Sequence, residues 1–295
     1  MGIDRIGLNA LRMARRHGLF GKTATLGRQH VHVPNHELDK ALGGRGGHEG
    51  AYCEALLIDF FGADDVVSID SSDYEGATQI HDLNHPLPEG LVGKFDTVID
   101  AGTLEHVYDI AQALKNTSML VKPGGQIIHI SPSNNFCGHG FWQFSPGLFF
   151  SLYSPKNGYR NTEVFVAELG LPDVWFKVRE PQGTQRIEII PQSPMFVIVR
   201  TVVDSRNFSH DDVNQSDYLF AWEGGLTSLP QRTPVSAERM SPSLSLLKSY
   251  AKSKIMDSDL IRQAYGAYRY RDKRLSNRNP HLTMERVKDI IAGTN

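Results

Sequence analysis

The sequence of 295 residues is poor in cysteine, since it contains only Cys53 and Cys137. The two cysteines do not indicate a disulfide framework, and two lone thiols cannot build a cysteine-rich zinc site. The sequence also lacks a stretch of about 18 apolar residues, which a membrane-spanning helix needs. No apolar run of the signal-peptide type lies near the N-terminus. These absences predict a protein of the reducing cytoplasm without a membrane span, and no metal site is expected.

A strong net charge is also missing, because 31 Lys and Arg residues face 33 Asp and Glu residues, for a net charge of −2. This balance predicts no general attraction to nucleic acid. The charge is nevertheless uneven, since residues 246–295 hold 11 basic and 5 acidic residues. Such a segment is typical of a solvated helix face. The alternative is a contact with a phosphorylated or lipid-linked acceptor, or with the acidic remainder of the chain.

Short apolar runs that indicate strands alternate with segments that indicate helices. This alternation predicts an α/β fold with a doubly wound, mostly parallel Rossmann-like sheet. The predicted strands are residues 23–27, 66–70, 77–80, 95–100 and 126–131, with a closing pair at 174–179 and 195–203. The predicted helices of this part are residues 4–17, 51–61 and about 104–119.

The composition changes after the last predicted strand. Residues 1–204 form the predicted sheet domain. Residues 205–245 are rich in Ser, Pro and other polar residues, which indicates a linker or a long loop. Residues 246–295 are predicted as a basic, helical C-terminal extension, with helices over 246–270 and 282–292.

Ligands of doubly wound sheets bind outside the carboxyl ends of the strands. Gly27 ends the first predicted strand, where a glycine lets the backbone approach a ligand closely, although an ordinary turn glycine is an equal alternative. Asp70 ends the second strand. Its carboxylate can accept both hydroxyl hydrogens of a ribose, as in nicotinamide enzymes. The alternative is a helix N-cap, because Ser71 and Ser72 follow.

Two segments carry a resemblance to a known family. Residues 95–107 read FDTVIDAGTLEHV, and a Lys-Pro-Gly-Gly turn stands at residues 122–125 before the next apolar strand. Together they resemble the class I S-adenosylmethionine-dependent methyltransferases. The stretches SIDSSDYEGATQIHDLNHPLP and NNFCGHGFWQFSP resemble a bacterial subgroup of methyltransferase-like proteins whose substrates are mostly unassigned. The resemblance covers about residues 23–203.

The resemblance implies S-adenosylmethionine as cofactor and assigns roles at the strand ends. An acid after the third strand faces the adenine amino group in this family, and its neighbour packs on the ring, which implies Asp82 and Leu83. A turn acid is the alternative for Asp82. The end of the fourth strand would line the methionyl portion. The implied cofactor-binding residues are Gly27, Asp70, Ser71, Asp82, Leu83, Asp100, Ala101, Gly102 and Thr103.

The turn after the first strand departs from the family pattern. An acid followed by Gly-x-Gly-x-Gly is usual there, whereas this chain has Leu26-Gly27-Arg28-Gln29-His30. The departure keeps a second hypothesis open, a non-catalytic methyltransferase-like binding or scaffolding protein. A nicotinamide-dependent oxidoreductase on the same sheet is a third, and the missing Gly-x-Gly-x-x-Gly turn disfavours it.

The loop after the fifth strand commonly covers the acceptor in the family. His139 is the preferred candidate for a catalytic base, because it stands between two glycines and histidine titrates near neutrality. His106 is a second candidate, for which a packed or capping histidine is the alternative. Amide and aromatic side chains orient and stack on hydroxylated compounds, which implies substrate contacts from Asn134, Asn135, Trp142 and Gln143. The aromatic residues alternatively pack the loop onto the core.

These observations predict an S-adenosylmethionine-dependent methyltransferase. The predicted acceptor is a small molecule or a saccharide such as a glycan precursor, methylated on oxygen. The sequence leaves the acceptor's identity and the oligomeric state open.

Overall fold

The computed structural model describes residues 2–44, 47–224 and 271–293. The strands are β1 (Gly2–Ile3), β2 (Gly21–Leu26), β3 (His30–Val31), β4 (Ala63–Asp70), β5 (Gln79–Ile80), β6 (Phe95–Asp100), β7 (Val121–Asn134), β8 (Tyr159–Glu168), β9 (Val174–Val178), β10 (Met195–Val203) and β11 (Leu282–Arg286). The helices are α1 (Arg5–Arg15), α2 (Asn35–Leu42), α3 (Cys53–Phe61), α4 (Ile110–Leu120), α5 (Pro146–Leu152), α6 (Ser216–Glu223) and α7 (Val287–Ala292).

The main sheet of the described residues has the strand order β11-β9-β8-β10-β7-β6-β2-β4-β5. The half from β5 to β7 is parallel, and the pairings from β7 to β11 are antiparallel, so only β9 and β10 run against the other strands. Counted along the chain, the parallel strands lie in the order 3-2-1-4-5, which is the doubly wound arrangement. The predicted mostly parallel, Rossmann-like sheet is confirmed. β1 and β3 form a separate two-stranded sheet.

Helices cover both faces of the sheet and create two apolar cores. One core joins the buried faces of α1, α3 and α7, and the other joins α4 and α5 to the opposite face. The apolar sequence of α3 places Leu56, Leu57 and Phe61 in the first core, and the helix ends at Gly62 with φ of +68°. Each Leu or Phe buried in this way stabilises the fold by about 1.5–3 kcal/mol.

The prediction of one helix over about 104–119 is wrong at its start. Leu104–His106 form a 3₁₀ turn, and α4 begins only at Ile110. Asp109 explains the later start, because its side chain caps α4 by accepting a hydrogen bond from Gln112 N at 3.0 Å. Glu105 and His106 therefore lie in a tight turn beyond the carboxyl end of β6 and not in the first turn of a helix.

The prediction that residues 174–179 and 195–203 form a closing pair is also wrong. Both segments are strands, but β8 lies between them: β10 pairs with β7 and β8, while β9 pairs with β8 and β11. β8 is a strand that was not predicted from the sequence. Pairing between distant strands is decided by the packing of the whole sheet, which local strand propensity does not encode.

The C-terminal part differs from the predicted extension. Residues 282–286 form β11 at the edge of the main sheet, where a helix was predicted, and α7 follows. Val287 and Ile290 of α7 join the core that contains α1. A boundary at residue 204 therefore does not separate the sheet from the C-terminal segment. The predicted linker contains α6, and the predicted helix at 246–270 lies outside the described residues. No helix of the described part is long and apolar enough to cross a membrane.

Candidate active site

The carboxyl ends of the three central strands meet at one point. Leu26 of β2 pairs with Ile69 of β4 on one side and with Asp100 of β6 on the other. Gly27 follows with φ of +68°, and its amide donates to the Ile69 carbonyl at 2.7 Å. A Cβ atom on Gly27 would lie 2.7 Å from Thr103 Oγ1 and 3.7 Å from Asp70 Oδ2. The structure thus brings Gly27, Asp70 and Thr103 together, and only glycine suits the first position.

Gln29 joins the ends of β2 and β6 where the family has further glycines. Its side chain is fully buried, and Nε2 donates to the Leu26 carbonyl at 2.6 Å and to Thr103 Oγ1 at 3.1 Å. Thr103 Oγ1 donates to the same carbonyl at 2.6 Å. Gln29 Oε1 is buried without a hydrogen-bond partner, which is costly unless a ligand supplies a donor. The sequence indicates an unusual turn here but predicts no role for Gln29.

Arg28 fixes the loop that follows Asp70. Its Nε lies 2.7 Å from Glu54 Oε1, and one terminal nitrogen donates to the carbonyls of Glu75 and Gly76 at 2.8 and 2.9 Å. The guanidinium also stacks 3.9 Å from the centre of the Tyr52 ring. These contacts hold residues 71–76 as a turn beside the strand end.

Asp70 remains partly exposed beside Gly27. Residues 71–78 form turns, so Asp70 is not a helix N-cap. Its Oδ2 lies 3.4 Å from Arg28 N, and the exposed Ser71 hydroxyl lies 3.5 Å from Oδ1. The carboxylate is therefore accessible at the place where a ribose is expected.

Asp82 and Leu83 follow β5, next to Asp70. The His81 amide donates to the Asp70 carbonyl at 2.8 Å, which fixes this proximity. Asp82 Oδ1 accepts from the amide and the side chain of Asn84 at 2.9 and 2.8 Å, and these hydrogen bonds lower the pKa of Asp82. These contacts are those of a turn acid. Leu83 is only 4% exposed and belongs to the core, so its side chain presents little surface to a ligand.

Asp100 lies beneath the site and is fully buried. Its Oδ1 accepts from the amides of Thr103 and Leu104 at 3.0 and 3.3 Å, and its Oδ2 accepts from Ser131 Oγ at 3.1 Å. His129 Nδ1 lies 2.9 Å from the same Oδ2. Asp100 therefore shapes the turn that carries Ala101, Gly102 and Thr103, of which Ala101 and Gly102 are also buried.

The contact with His129 continues to Tyr153. The phenol oxygen of Tyr153 lies 2.6 Å from His129 Nε2, and burial holds the pKa of Tyr153 well above its usual value. The tautomer that satisfies both contacts has Nδ1 donating to Asp100 and Nε2 accepting from Tyr153. This series of contacts from Asp100 to Tyr153 was not predicted from the sequence. Its only signal was a histidine inside an otherwise apolar strand.

Glu105, His106 and His139 form a cluster at the same carboxyl end of the sheet. It is called the Glu105 cluster below. Glu105 Oε1 lies 3.3 Å from His139 Nε2 and 3.9 Å from His106 Nε2. Glu105 is fully buried, whereas the two imidazoles are 47% and 41% exposed. Burial raises the pKa of the Glu105 carboxyl to about 8, and the nearby Asp100 adds to the rise. Burial, followed by His139, lowers the pKa of His106.

The two predicted catalytic histidines are thus brought together, with ring centres 5.1 Å apart. Glu105 joins them, although no catalytic role was predicted for it. The signal for Glu105 was its place in the Leu-Glu-His segment directly after a strand end. Both of its carboxylate oxygens lack a hydrogen-bond partner of good geometry.

The four predicted substrate-binding residues are exposed: Asn134 ends β7, and Asn135, Trp142 and Gln143 lie in the loop that follows. Much of their hydrogen bonding is internal to the fold. Asn135 Nδ2 donates to the Ser193 carbonyl at 3.3 Å, and Asn134 Oδ1 accepts from the Asn135 amide at 2.7 Å. Trp142 Nε1 donates to the Val107 carbonyl at 2.9 Å, and Gln143 Oε1 accepts from the Phe136 amide at 2.9 Å. These contacts brace the loop over the turn that carries Glu105.

An apolar cavity of about 430 Å³ opens beside this loop. It lies between α4 and α5 and is lined mainly by Ile110, Leu114, Trp142, Phe144, Leu148 and Phe208. Its volume is within the range of small-molecule sites. Trp142 and Gln143 both contact this cavity, so the loop connects it to the Glu105 cluster.

Comparison with solved structures finds methyltransferases at low similarity. A putative methyltransferase from Bacillus halodurans C-125 is 11% identical, with a TM-score of 0.37 over 68% of this chain and 99% of that chain. N-methyltransferase NodS from Bradyrhizobium japonicum WM9, solved with S-adenosyl-L-homocysteine, is 14% identical, with a TM-score of 0.36 over 66% of this chain and 84% of that chain. A possible histamine N-methyltransferase from Thermotoga maritima is 15% identical, with a TM-score of 0.32 over 66% and 88%. No protein-family model and no curated protein matches the sequence. At these values the comparisons assign no function.

Proposed function

We propose that this protein is an S-adenosylmethionine-dependent methyltransferase that methylates a hydroxyl of a small molecule or a glycan precursor. The observation that carries the proposal is the junction of Gly27, Asp70 and Thr103 at the carboxyl ends of the central strands. The Glu105 cluster lies at the same end of the sheet, because Glu105 follows Thr103 by two residues. A cofactor site and a group able to accept a proton thus share one edge of the sheet.

The residues at the strand ends fit the cofactor in three respects. Gly27 keeps the backbone bare at the strand end, where a Cβ atom would lie 2.7 Å from Thr103 Oγ1. Asp70 offers an accessible carboxylate for ribose hydroxyls, and Gln29 Oε1 is a buried acceptor without a donor. The residues proposed to hold the cofactor are Gly27, Asp70, Ser71, Ala101, Gly102 and Thr103, with Asp100 fixing the last three from below. Asp82 and Leu83, which the resemblance implies, serve the turn after β5 and the core instead. When bound, S-adenosylmethionine supplies an activated methyl group on a sulfonium.

The chain's own task is to orient the acceptor and to take up its proton. We assign proton acceptance to His139 Nδ1, with Glu105 holding the imidazole from the buried side through Nε2 at 3.3 Å. His106 lies against the His139 ring and fixes its orientation. The apolar cavity beside Trp142 suits an acceptor that carries an apolar part as well as a hydroxyl. The free thiols of Cys53 and the exposed Cys137 suit the reducing cytoplasm, which we propose as its compartment.

Replacement of His139 tests this assignment. We expect His139→Ala to lower the rate of methyl transfer by about 10²–10⁴-fold, because a positioned general base contributes that factor. Binding of S-adenosylhomocysteine should stay unchanged, since His139 lies outside the strand-end junction. The measurement is transfer of a tritiated methyl group from S-adenosylmethionine to a panel of saccharides, nucleotide sugars and hydroxylated aromatic compounds.

His85→Ala is the matched control, because His85 is an exposed histidine beside a carboxylate, Asp82, at 3.8 Å. Its rate should equal that of the wild type. An unchanged rate in His139→Ala would exclude His139 as the base.

The turn Gly27-Arg28-Gln29 favours one alternative, a non-catalytic binding module. Where the resembled family has further glycines, this chain has Arg28 and Gln29, whose side chains form hydrogen bonds within the protein itself. In that case S-adenosylhomocysteine would bind but no label would reach any acceptor of the panel. The same transfer assay therefore separates the two functions.

A further inference from the structure

We propose that Glu105, His106 and His139 form a binding site for a divalent transition-metal ion. The nearest ligand atoms of the three side chains all lie within 4.8 Å of one another. Ligands bound at 2.0–2.2 Å in a tetrahedral site lie roughly 3.4 Å apart. The Glu105–His139 distance of 3.3 Å already matches this spacing, and the Glu105–His106 distance of 3.9 Å is close to it.

The carboxylate of Glu105 is the second, independent observation. Its side chain is fully buried, and neither oxygen has a hydrogen-bond partner. An unpartnered buried carboxyl is destabilising, and a bound cation is one of the few partners that would compensate for it. The carboxyl points towards the two imidazoles, so a cation between them would contact all three groups.

The backbone holds the His139 loop against Glu105, so the site is already built. The amides of Phe141 and Trp142 both donate to the Glu105 carbonyl, at 2.6 and 3.2 Å. Gly140 packs directly on Glu105, and a Cβ atom there would lie 2.7 Å from Glu105 Cγ. These contacts join the turn after β6 to the loop after β7 and fix two ligand-bearing segments relative to each other.

The donor set determines the class of ion. Two imidazoles and one carboxylate suit zinc and iron(II), whereas magnesium and calcium prefer oxygen donors alone. Three protein ligands leave at least one coordination position open, which is the arrangement of catalytic sites. Both imidazoles are about half exposed, so an open position would be accessible to solvent beside the loop after β7.

The role of such an ion in catalysis rests on the proposed function. A metal ion lowers the pKa of a bound hydroxyl group and fixes its position. In the metal-loaded protein, His139 would be a ligand and not the free base. The ion would then favour the deprotonated acceptor, and the proton would pass to solvent water at the half-exposed imidazoles. The binding of the ion itself does not depend on methyl transfer.

The test is a calorimetric titration of Zn²⁺ into the metal-free full chain without an affinity tag. We expect one equivalent to bind, and we expect Glu105→Gln, His106→Ala and His139→Ala each to weaken binding by at least about tenfold, the loss that even an outer-shell partner causes. His139→Ala lies in an exposed loop, so it remains informative if Glu105→Gln is unstable. Visible absorption of the Co²⁺-loaded protein gives a second measurement.

Two control variants separate this site from adventitious binding. His85→Ala removes an exposed histidine beside a carboxylate, and Cys137→Ser removes the exposed thiol two residues before His139. Neither should change the affinity. Absence of Zn²⁺ binding, binding that survives His139→Ala, or binding lost in Cys137→Ser would each overturn the proposal. Because the titration contains no S-adenosylmethionine, its outcome is independent of whether the protein transfers a methyl group.

Discussion

Gly27→Ala is expected to abolish binding of S-adenosylhomocysteine, with a loss of affinity of at least about a hundredfold, or 2.7 kcal/mol. The added Cβ would lie 2.7 Å from Thr103 Oγ1, so β2 and β6 could not keep their present separation at the site. The positive φ of +68° adds strain of about 1–2 kcal/mol for any L side chain. Isothermal titration calorimetry with S-adenosylhomocysteine measures the effect.

Gly43→Ala is the matched control for backbone strain. Gly43 ends α2 with φ of +85°, and a Cβ atom there would have no neighbour within 4 Å. The two variants share the unfavourable backbone conformation, but only Gly27→Ala changes the strand-end junction. We expect Gly43→Ala to lower stability modestly and to bind S-adenosylhomocysteine like the wild type. Equal affinities of the two variants would contradict a cofactor site at Gly27.

Asp100→Ala is expected to lower the free energy of unfolding by about 3–5 kcal/mol, because it leaves several buried donors unsatisfied and each of these costs about 1–3 kcal/mol. Asp100 is fully buried, and its loss leaves the donors of Thr103, Leu104 and Ser131 without an acceptor. His129 Nδ1 also loses its partner. Urea denaturation followed by circular dichroism measures the change.

Asp65→Ala provides the comparison for Asp100→Ala. Asp65 is 59% exposed and forms a surface ion pair with Lys22 at 3.6 Å. Such pairs contribute less than about 1 kcal/mol, so the urea midpoint should move little. If Asp100→Ala were as stable as Asp65→Ala, the buried chain from Asp100 to Tyr153 would not support the turn at residues 101–105.

The parallel half of the sheet was predictable from sequence because its signals are local. Apolar runs that end in Gly27, Asp70 and Asp100 mark the strand ends, and parallel topology then places those ends at one edge. The antiparallel half was not predictable in the same way. β8 pairs with β10 about 35 residues away, and β11 reaches the sheet from the far end of the chain, so long-range packing decides both pairings.

The candidate site was predictable only in part. The pairing of His106 with His139 depends on the loop after β7, whose backbone is held by the carbonyl of Glu105. The predicted helix start at residue 104 concealed this contact, because Glu105 in a first helical turn has a sufficient structural role. Gln29 and Arg28 stand where glycines were expected, and the structure was needed to find their partners.

Calorimetric titration of the wild-type protein with S-adenosylhomocysteine, with NAD as the comparison ligand, tests the central claim most directly. The proposed function predicts binding of one equivalent of S-adenosylhomocysteine, loss of that binding in Gly27→Ala, and no binding of NAD. Absence of S-adenosylhomocysteine binding at millimolar concentration, or preferential binding of NAD, would contradict it.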